Sequence, residues 1–416
     1  MEKFVLYWMQ QAQRVRFNQA LNFAVEEANR RRLPLLVCFV VTPFPEANQR
    51  HYRFMLQGLQ EVETALTEKG IGLIIRIGDI VEEILELASG AELLVTERGF
   101  LRIQREWRNA VKLKLRCPFR EIDTDTIVPP TVVSDKAEIA ARTLRTKINR
   151  LLPDYLVPVP EAVLEIKSKD DPLVNRYSEK SRSVYQLYND NSLPDHGSAL
   201  PGAVAAQHKL ELFIRDKLAY YHLLALQPDK EIRSGLSACL HFGQISPLDI
   251  ALQIMNCNAP AEAKTAFLEQ LIVRRELAVN FIWFTPDYDK YEAAVPEWAQ
   301  KTLTEHKGDK REYIYSLEEL ELAKTHDNYW NAAQQEMLQT GYMHNYRRMY
   351  WGKKIIEWTP SPQQAWEYMQ KLNNRYQMDG RDANSYAGIA WCFGLHDHPW
   401  KERAVFGKVR YINRQR

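Results

Sequence analysis

A stripe of tryptophans with an arginine at its head runs along one predicted helix. Arg348, Trp351, Ile355 and Trp358 follow the i, i+3, i+7, i+10 spacing of a single helical face. Trp351 and Trp358 are then two turns apart, about 10.5 Å along the axis. Indoles at such spacing can pass an electron in short hops, although an aromatic core is the commoner explanation. The arginine is unusual on a core face and indicates a buried anionic or polar partner.

A carboxyl group lies on a mostly apolar face of another predicted helix. The helical neighbours of Glu276 are Ile272, Val273, Val279 and Asn280, so no Lys or Arg can pair with it along the helix. Burial in such surroundings raises the pKa of a carboxyl, and a protonated Glu276 could donate a hydrogen bond to a carbonyl. A tertiary ion pair with a distant arginine is the alternative.

Two serines frame a candidate anion site. Ser234 and Ser237 stand three residues apart, and Ser234 is predicted to be the N-cap of a helix. Exposed backbone N–H groups together with two hydroxyls would bind an anion. An ordinary capped helix is the alternative.

Three more segments carry functional groups. Residues 373–384 form a loop-like stretch with a turn signal at Asp379-Gly380. His396 and His398 stand in a loop with no evident third ligand, so no metal site is expected. Residues 401–416 carry six basic residues and one acid, interleaved with aromatic residues. That composition fits either an edge that contacts phosphates or a solvated tail.

Alternating strands and helices are expected in the first 130 residues, as in a parallel sheet covered on both faces. The predicted strands are residues 4–9, 35–41, 71–77 and 93–96. The predicted helices are residues 14–32, 50–68, 80–88 and 104–115. Neither G-x-G-x-x-G nor G-x-x-x-x-G-K-[ST] occurs, so the usual dinucleotide or triphosphate cradle is not expected there.

Prolines punctuate the chain between residues 129 and 201, where one helix is predicted around residues 136–151. From residue 206 onward the periodicity is helical, until a strand-like stretch at residues 405–412. The sequence therefore predicts an α/β domain (residues 1–130), an interdomain linker (131–205) and an all-α domain (206–416).

The composition limits the classes of partner and compartment. The net charge is only +2, so a polyanion would have to bind a local basic patch. Five scattered cysteines with no CxxC pair argue against a cysteine-rich metal site and indicate reduced thiols. Neither a membrane span nor a signal peptide is expected. Six of the ten tryptophans fall between Trp330 and Trp400, which calls for an explanation.

Taken together, these segments resemble the class II cyclobutane pyrimidine dimer photolyases of the cryptochrome/photolyase family. The resemblance spans nearly the whole chain. It is carried by residues 5–9 with 13–21, 234–246, 274–278, 343–351, 379–382 and 406–411.

The resemblance implies an α/β antenna domain of Rossmann-like topology and a helical domain that binds FAD in a bent form. The residues that it assigns to FAD are Tyr221, Ser234, Gly235, Leu236, Ser237, Asn345, Arg348, Asn373, Asp379, Arg381 and Asp397. It makes Trp351, Trp330 and Trp358, in that order outward from FAD, an electron-transfer chain. It places Glu276, Met349 and Trp391 in the pocket for the lesion. The basic residues expected to hold DNA phosphates are Lys401, Arg403, Lys408 and Arg410.

The activity implied is light-driven repair of pyrimidine dimers in double-stranded DNA, by electron transfer from photoexcited reduced FAD to a flipped-out dimer. An antenna chromophore of the 8-hydroxy-5-deazaflavin type is a further expectation, and its presence and identity stay open. The protein is expected to be a monomer associated with DNA, in the cytoplasm or in a eukaryotic nucleus. The alternatives are a cryptochrome-like photoreceptor without repair activity, a repair enzyme for (6-4) photoproducts, and a helical interaction module.

Overall fold

One parallel sheet organises the N-terminal part of the computed structural model, which describes residues 3–178, residue 184 and residues 200–413. Its strands are β1 (Phe4–Trp8), β2 (Leu35–Val41), β3 (Gly72–Ile77), β4 (Ala91–Glu97) and β5 (Phe119–Ile122). All neighbours pair in parallel, in the order β3-β2-β1-β4-β5. The predicted parallel sheet is confirmed, and β5 is an additional strand at its edge.

The central strands carry apolar side chains on both faces of the sheet, so helices cover both faces. In β1, Val5 and Tyr7 face one apolar core while Leu6 and Trp8 face the other. The covering helices are α1 (Gln19–Arg31), α2 (Gln49–Glu68), α3 (Ile80–Leu87) and α4 (Arg102–Lys114). The predicted start of α1 at residue 14 is wrong. The side chain of Asn18 accepts the N–H of Leu21 and starts the helix there.

The segment after β5 packs against the sheet domain. It contains α5 (Pro130–Val133), α6 (Ala141–Tyr155) and α7 (Pro172–Ser178), so the helix predicted at residues 136–151 begins later and ends later. The Ser168 hydroxyl accepts the N–H of Gly72 at 3.0 Å and donates to Leu35 O, which ties the segment to β2 and β3. Residues 179–183 and 185–199 of the predicted linker lie outside the described residues. The boundaries at 130 and 205 stay a prediction.

The C-terminal part is helical. Its helices are α8 (Ala203–Asp216), α9 (Tyr221–Leu224), α10 (Ser237–His241), α11 (Pro247–Asn256), α12 (Ala261–Leu268), α13 (Arg275–Phe284), α14 (Tyr291–Ala294), α15 (Glu297–Glu305), α16 (Leu317–Glu321), α17 (Asn328–Thr340), α18 (Asn345–Glu357), α19 (Pro362–Tyr376) and α20 (Ala383–Cys392). A π-helical turn, Glu269–Arg274, leads into α13. Across the described ranges, no helix combines the length and the apolar character that a membrane span requires.

The strand predicted at residues 405–412 is wrong. The chain there makes a turn that is closed by a single antiparallel bridge between Arg403 and Gly407. Val405 and Gly407 both have left-handed backbone angles, with φ of 68° and 51°. Such angles are incompatible with an extended strand.

Polar anchors on α2 join the two halves of the molecule. The Arg50 guanidinium donates to Leu338 O at 2.6 Å, and a ring nitrogen of His51 lies 3.0 Å from Gln377 O. Asn48 donates to Arg375 O at 2.6 Å. The segment that begins α2 is thereby fixed against the last turns of α17 and α19 and against Gln377, which follows α19.

Candidate active site

A narrow cleft opens between α18, α19 and α20, three helices that pack against one another. Polar, sulfur-containing and aromatic side chains line it together. The lining residues are Arg348, Met349, Trp351, Met369, Asn373, Asn384, Ser385, Gly388, Ile389 and Cys392. All three helices belong to the part of the chain between Trp330 and Trp400, which holds six of the ten tryptophans.

An ion pair stands at one side of this cleft. Arg348 Nη2 lies 3.1 Å from Asp379 Oδ1 and also donates to Gln377 Oε1 at 3.1 Å. Both charged side chains are about 15% exposed, at 16% and 15%. The predicted anionic partner of Arg348 is therefore Asp379. Arg348 Nε is buried and lacks a hydrogen-bond partner among the described residues, so it leaves a donor free beside the cleft.

The opposite walls of the cleft carry a buried amide and an open glycine. The Asn373 side chain is buried, at 2% exposure, and its amide donates to Asn374 Oδ1 at 3.2 Å. Gly388 presents bare backbone to the cleft, and a Cβ built there would meet no atom within 4 Å. The amide, the guanidinium and the bare glycine backbone match the nitrogen and oxygen atoms of a planar heterocycle in their hydrogen-bonding chemistry. The residues present are therefore chemically compatible with the isoalloxazine ring of FAD, which would have to widen the cleft from its present volume of about 10 Å³.

The candidate phosphate loop has a different local structure from the predicted one. Helix α10 begins at Ser237 without a side-chain N-cap, so the prediction that Ser234 caps it is wrong. The Ser234 hydroxyl instead accepts the N–H of Leu236 at 3.4 Å. Gly235 has a φ of 68° and open space around it, so its backbone is accessible to a ligand. Arg233, over the ring of Tyr342 at 3.8 Å, adds a positive charge next to the loop.

Two other residues assigned to FAD differ in their exposure. Tyr221 contacts Phe213 and Phe267 edge-to-face, and burial raises its pKa to about 12. Its neighbour Tyr220 is 55% exposed, so Tyr221 is the tyrosine that faces inward. Asn345 is the first residue of α18 and is exposed.

The three candidate electron-transfer tryptophans form a contiguous buried chain. The rings of Trp351 and Trp330 are nearly parallel, with centroids 6.3 Å apart. Those of Trp330 and Trp358 are 5.6 Å apart at 68°. Trp330 comes from α17 and lies between Trp351 of α18 and Trp358, the C-cap of α18, which the helical stripe alone did not indicate. Trp351 lines the cleft, so the spatial order outward is the order that the resemblance implied.

Known proteins resemble this chain over nearly its whole length. The DNA photolyase family model matches residues 5–165. The deoxyribodipyrimidine photo-lyase of Methanothermobacter thermautotrophicus is 44% identical over 99% of this chain and 90% of its own length. That of Potorous tridactylus is 39% identical over 98% of this chain and 77% of its own length. This chain belongs to the DNA photolyase family.

Solved structures agree with this membership at the level of the fold. A bacterial class III photolyase from Agrobacterium tumefaciens has a TM-score of 0.76 at 20% identity and covers 96% of this chain and 82% of its own. An archaeal photolyase from Sulfolobus tokodaii, solved with two FAD molecules, has a TM-score of 0.70 at 14% identity and covers 94% and 82%. The predicted architecture, an α/β domain followed by a helical domain, is confirmed as the photolyase architecture.

Glu276, one of three residues assigned to the lesion pocket, bonds to backbone. Its carboxyl accepts the N–H of Ile127 at 2.6 Å and that of Val128 at 3.3 Å. Burial is the main cause that raises its pKa to about 8, against the opposing effect of these N–H groups and of Arg275. The expected raised pKa is thus found, and the alternative of a direct ion pair has no support in the described contacts. One turn later Asn280 accepts the N–H of Glu138 at 2.7 Å, so this face of α13 anchors the segment after β5.

The other two lesion-pocket residues lie at the cleft and beside it. Met349 lines the cleft. Trp391 stands between two cations, with Lys353 Nζ 5.6 Å and the Arg410 guanidinium 5.4 Å from its ring. Lys353 is fully buried and donates to Cys392 O at 2.5 Å, and burial lowers its pKa to about 8. Sequence reasoning missed this lysine, because no pattern distinguishes it from exposed lysines.

Asp397, which the resemblance assigns to FAD, pairs with residues of the C-terminal segment. Its carboxylate lies 2.9 Å from Arg410 Nε and accepts the Trp400 indole N–H at 3.2 Å. Left-handed backbone at Gly394 and His396 turns the chain toward the C-terminal segment before Asp397 is reached. Arg410 is consequently neutralised by Asp397, while Lys401, Arg403 and Lys408 are exposed.

Arg381 lies behind the flavin motif and lines a second cavity. Its guanidinium contacts His51 Nε2 at 3.1 Å and donates to Asn374 O, and burial lowers its pKa to about 10. The cavity, of about 140 Å³, lies at the carboxyl ends of β1 and β2, near the point where the strand order reverses. Side-chain atoms of Gln10 and Gln13 are buried there without partners among the described residues. Sequence reasoning missed this cavity. The polar residues Gln10 and Gln13, which follow the buried strand β1, were the signal that could have indicated it.

Proposed function

We propose that this chain is a deoxyribodipyrimidine photo-lyase that repairs cyclobutane pyrimidine dimers in DNA by light-driven electron transfer from reduced FAD. The observation that carries the proposal is the cleft of α18–α20, where an ion pair, a buried asparagine, an open glycine and the first tryptophan of a buried chain meet. Relatives named deoxyribodipyrimidine photo-lyase, similar over nearly the whole chain, support the same activity.

Residues of this chain would hold FAD at both ends. The backbone and hydroxyls of residues 234–237 would bind its phosphates, with Arg233 adding positive charge. Arg348 and Asp379 would flank the ring, where the unpaired Arg348 Nε is available to donate. Asn373 would present its amide to the ring edge. Bound there, reduced FAD supplies the light-absorbing electron donor, and the protein supplies placement and electrostatics.

The substrate would enter as a flipped-out dimer, since a stacked dimer cannot reach the cleft. Met349 and Trp391 would form apolar walls of its pocket. Glu276, protonated at neutral pH because its pKa is raised to about 8, would donate toward a dimer carbonyl as negative charge develops there. The exposed Lys401, Arg403 and Lys408 would bind phosphates on either side without reading sequence.

The cavity beside Arg381 would hold a second, light-collecting chromophore. Its aromatic walls, the unpaired side-chain amide of Gln10 and the unpaired Oε1 of Gln13 suit a flat heteroaromatic group such as an 8-hydroxy-5-deazaflavin. We further propose that the protein acts as a monomer on DNA, in the cytoplasm or in a eukaryotic nucleus.

An absorption spectrum followed by illumination tests the proposal. Purified protein should be yellow, and after reduction it should restore dimer-containing oligothymidylate under near-ultraviolet or blue light but not in the dark. A flavin-containing protein that leaves dimers intact would favour a photoreceptor, and one that repairs only (6-4) photoproducts would change the substrate. A colourless preparation that resists reconstitution with FAD would refute the flavin site itself.

A further inference from the structure

The C-terminal turn that carries proposed DNA-binding residues is fastened to the end of α15 and to the loop after it. The Val405 N–H donates to Asp309 Oδ2 at 2.8 Å, and the Lys408 N–H donates to Thr302 Oγ1 at 3.1 Å. Residues 402–408 are here called the anchored turn. The side chains proposed to bind phosphates lie on this turn or next to it, so their arrangement depends on these anchors.

Val405 is the strained point of the anchored turn. Its φ of 68° is left-handed, a conformation that is costly for a residue branched at Cβ. The hydrogen bond from its N–H to Asp309 and the burial of its side chain, at 7% exposure, hold the backbone there. The shape of the turn is therefore sensitive to whatever holds Asp309.

Two carboxylates bind the imidazole of His306, one at each ring nitrogen. Nδ1 lies 2.6 Å from Asp309 Oδ2, and Nε2 lies 3.0 Å from Glu402 Oε1. An ionised carboxylate only accepts hydrogen bonds, so both ring nitrogens must donate, which only the imidazolium can do. His306 is also the C-cap of α15, where the helix dipole favours a cation. The geometry thus specifies a charged His306.

The charges around the ring agree with this protonation state. The hydrogen bond to Asp309 is the main cause that raises the pKa of His306, and Glu402 adds to the rise while burial opposes it. The described contacts join the ring to none of the other charged side chains nearby, which are Glu305, Lys307, Arg311, Arg403 and Lys408. Two carboxylates therefore decide the charge of this imidazole.

We propose that His306 is a positioning residue for DNA binding, whose imidazolium holds the anchored turn and neutralises Glu402 beside the phosphate-binding side chains. A neutral imidazole has one N–H and can serve only one of its two carboxylates. Glu402 is the one released, because its side chain is 55% exposed while Asp309 also holds the Val405 N–H. The inference rests on the proposed function, since it takes this edge of the chain as the site that binds DNA.

The released carboxylate would oppose DNA binding. Glu402 lies between Lys401 and Arg403 in the sequence, so a free negative charge there acts against two cations expected to neutralise phosphates. The guanidinium of Arg403 is itself held over the ring of Tyr411, 3.9 Å from its centroid, and its backbone N–H donates to Gly407 O across the turn. Because the pKa of His306 is raised, DNA affinity should be complete below that pKa and fall as pH rises through it.

Binding of intact and dimer-containing duplex between pH 6 and 9, at one ionic strength, tests the proposal together with an NMR titration of the histidine rings without DNA. The ring of His306 should titrate above that of His208, an exposed histidine of α8 without a described carboxylate partner. Wild type should bind both duplexes several-fold more weakly at the upper end of this range. His306→Gln should bind weakly at every pH, and Glu402→Gln should keep its affinity at high pH because no negative charge is released.

His208→Gln is the matched control and should keep the wild-type pH profile. Repair per bound complex should be unchanged in His306→Gln, since this side chain acts on binding and not on the electron transfer. A purely structural role would lower the melting temperature and leave the pH dependence of binding intact.

Three outcomes would overturn the inference. The first is an equal fall of affinity with pH in wild type and His306→Gln, and the second is a His306 ring that titrates at or below His208. The third is a wild-type loss of affinity at high pH in Glu402→Gln, which would remove the carboxylate from the argument. A protein whose His306 titrates as expected but which binds neither duplex at any pH would instead refute the proposed function, and the effect on DNA with it.

Discussion

Replacing Glu276 by glutamine should change how stability depends on pH. The pKa of Glu276 is raised to about 8, mainly by burial, from an ordinary value of 4.5. Between these two pH values the folded chain holds a proton that the unfolded chain releases. The free energy of unfolding contributed by this group therefore falls as pH rises, by up to about 1.4 kcal/mol per pH unit and roughly 5 kcal/mol across the window. Glutamine stays neutral, so Glu276→Gln should lack this dependence.

Urea unfolding at several pH values between 5 and 8 measures the difference. The free energy of unfolding of the wild type, relative to that of Glu276→Gln, should fall steadily as pH rises. Glu269→Gln is the control, because Glu269 is paired with Arg145 and Arg274 and its pKa is lowered by them. Its stabilising contribution is complete above its ordinary pKa and should give a constant difference in the same window. Parallel curves for wild type and Glu276→Gln would refute the view that this carboxyl is buried and protonated.

Replacing Glu276 by alanine distinguishes a structural role of this residue from a role in repair. Glu276→Ala should keep FAD and its reduction but lower the single-flash repair yield or the affinity for the dimer. The hydrogen bonds to Ile127 and Val128 also predict a lower melting temperature. If only stability falls while repair per complex is unchanged, Glu276 is an anchor between the two halves and not a group of the lesion pocket.

Three further predictions concern the flavin, the DNA edge and the tryptophan chain. Asp379→Ala leaves the Arg348 charge unpaired at a cost of about 3–5 kcal/mol, so FAD should dissociate on purification; full FAD occupancy would contradict the assignment. Lys401→Glu with Lys408→Glu should weaken binding to damaged and intact duplex alike and flatten the salt dependence, by about 0.9 in log–log slope for each phosphate that is no longer neutralised, whereas weakening confined to damaged DNA would move these residues into the lesion pocket. Trp351→Phe should abolish most photoreduction while the chemically reduced variant repairs dimers at near wild-type yield, and an undiminished tryptophan radical in transient absorption would contradict the chain.

Local sequence patterns predicted most strands of the sheet but not the edge strand β5. The seven residues of β2 are all buried, and their uninterrupted apolar run predicts a strand with the observed bounds. In β5, Phe119–Ile122, the two central residues are charged, one of them is exposed and the other three positions are only partly buried, so no apolar run marks the strand. Its pairing with β4 supplies the order that its own sequence does not.

In the candidate site, too, local sequence patterns predicted some contacts and not others. The helical stripe indicated that Arg348 has a buried anionic or polar partner, and the tertiary fold brings Asp379 to it. Helical spacing placed Trp351 and Trp358 on one face, but Trp330 enters between them from another helix through a contact that only the tertiary fold makes. The backbone amides that hold Glu276 are nearly 150 residues earlier, a separation that no local pattern can bridge.

The docking of α2 makes the two halves of the molecule one cooperative unit at the point where both chromophores would sit. His51 reaches both the Gln377 carbonyl and the Arg381 guanidinium, and Arg50 reaches the Leu338 carbonyl. Opening this joint would strand buried polar groups on both sides, so amide hydrogens near Gln377 should exchange only when α2 also detaches. A helical half produced without α2 would lose the support behind Asp379, so we expect that the sheet half and the helical half cannot be exchanged as independent modules.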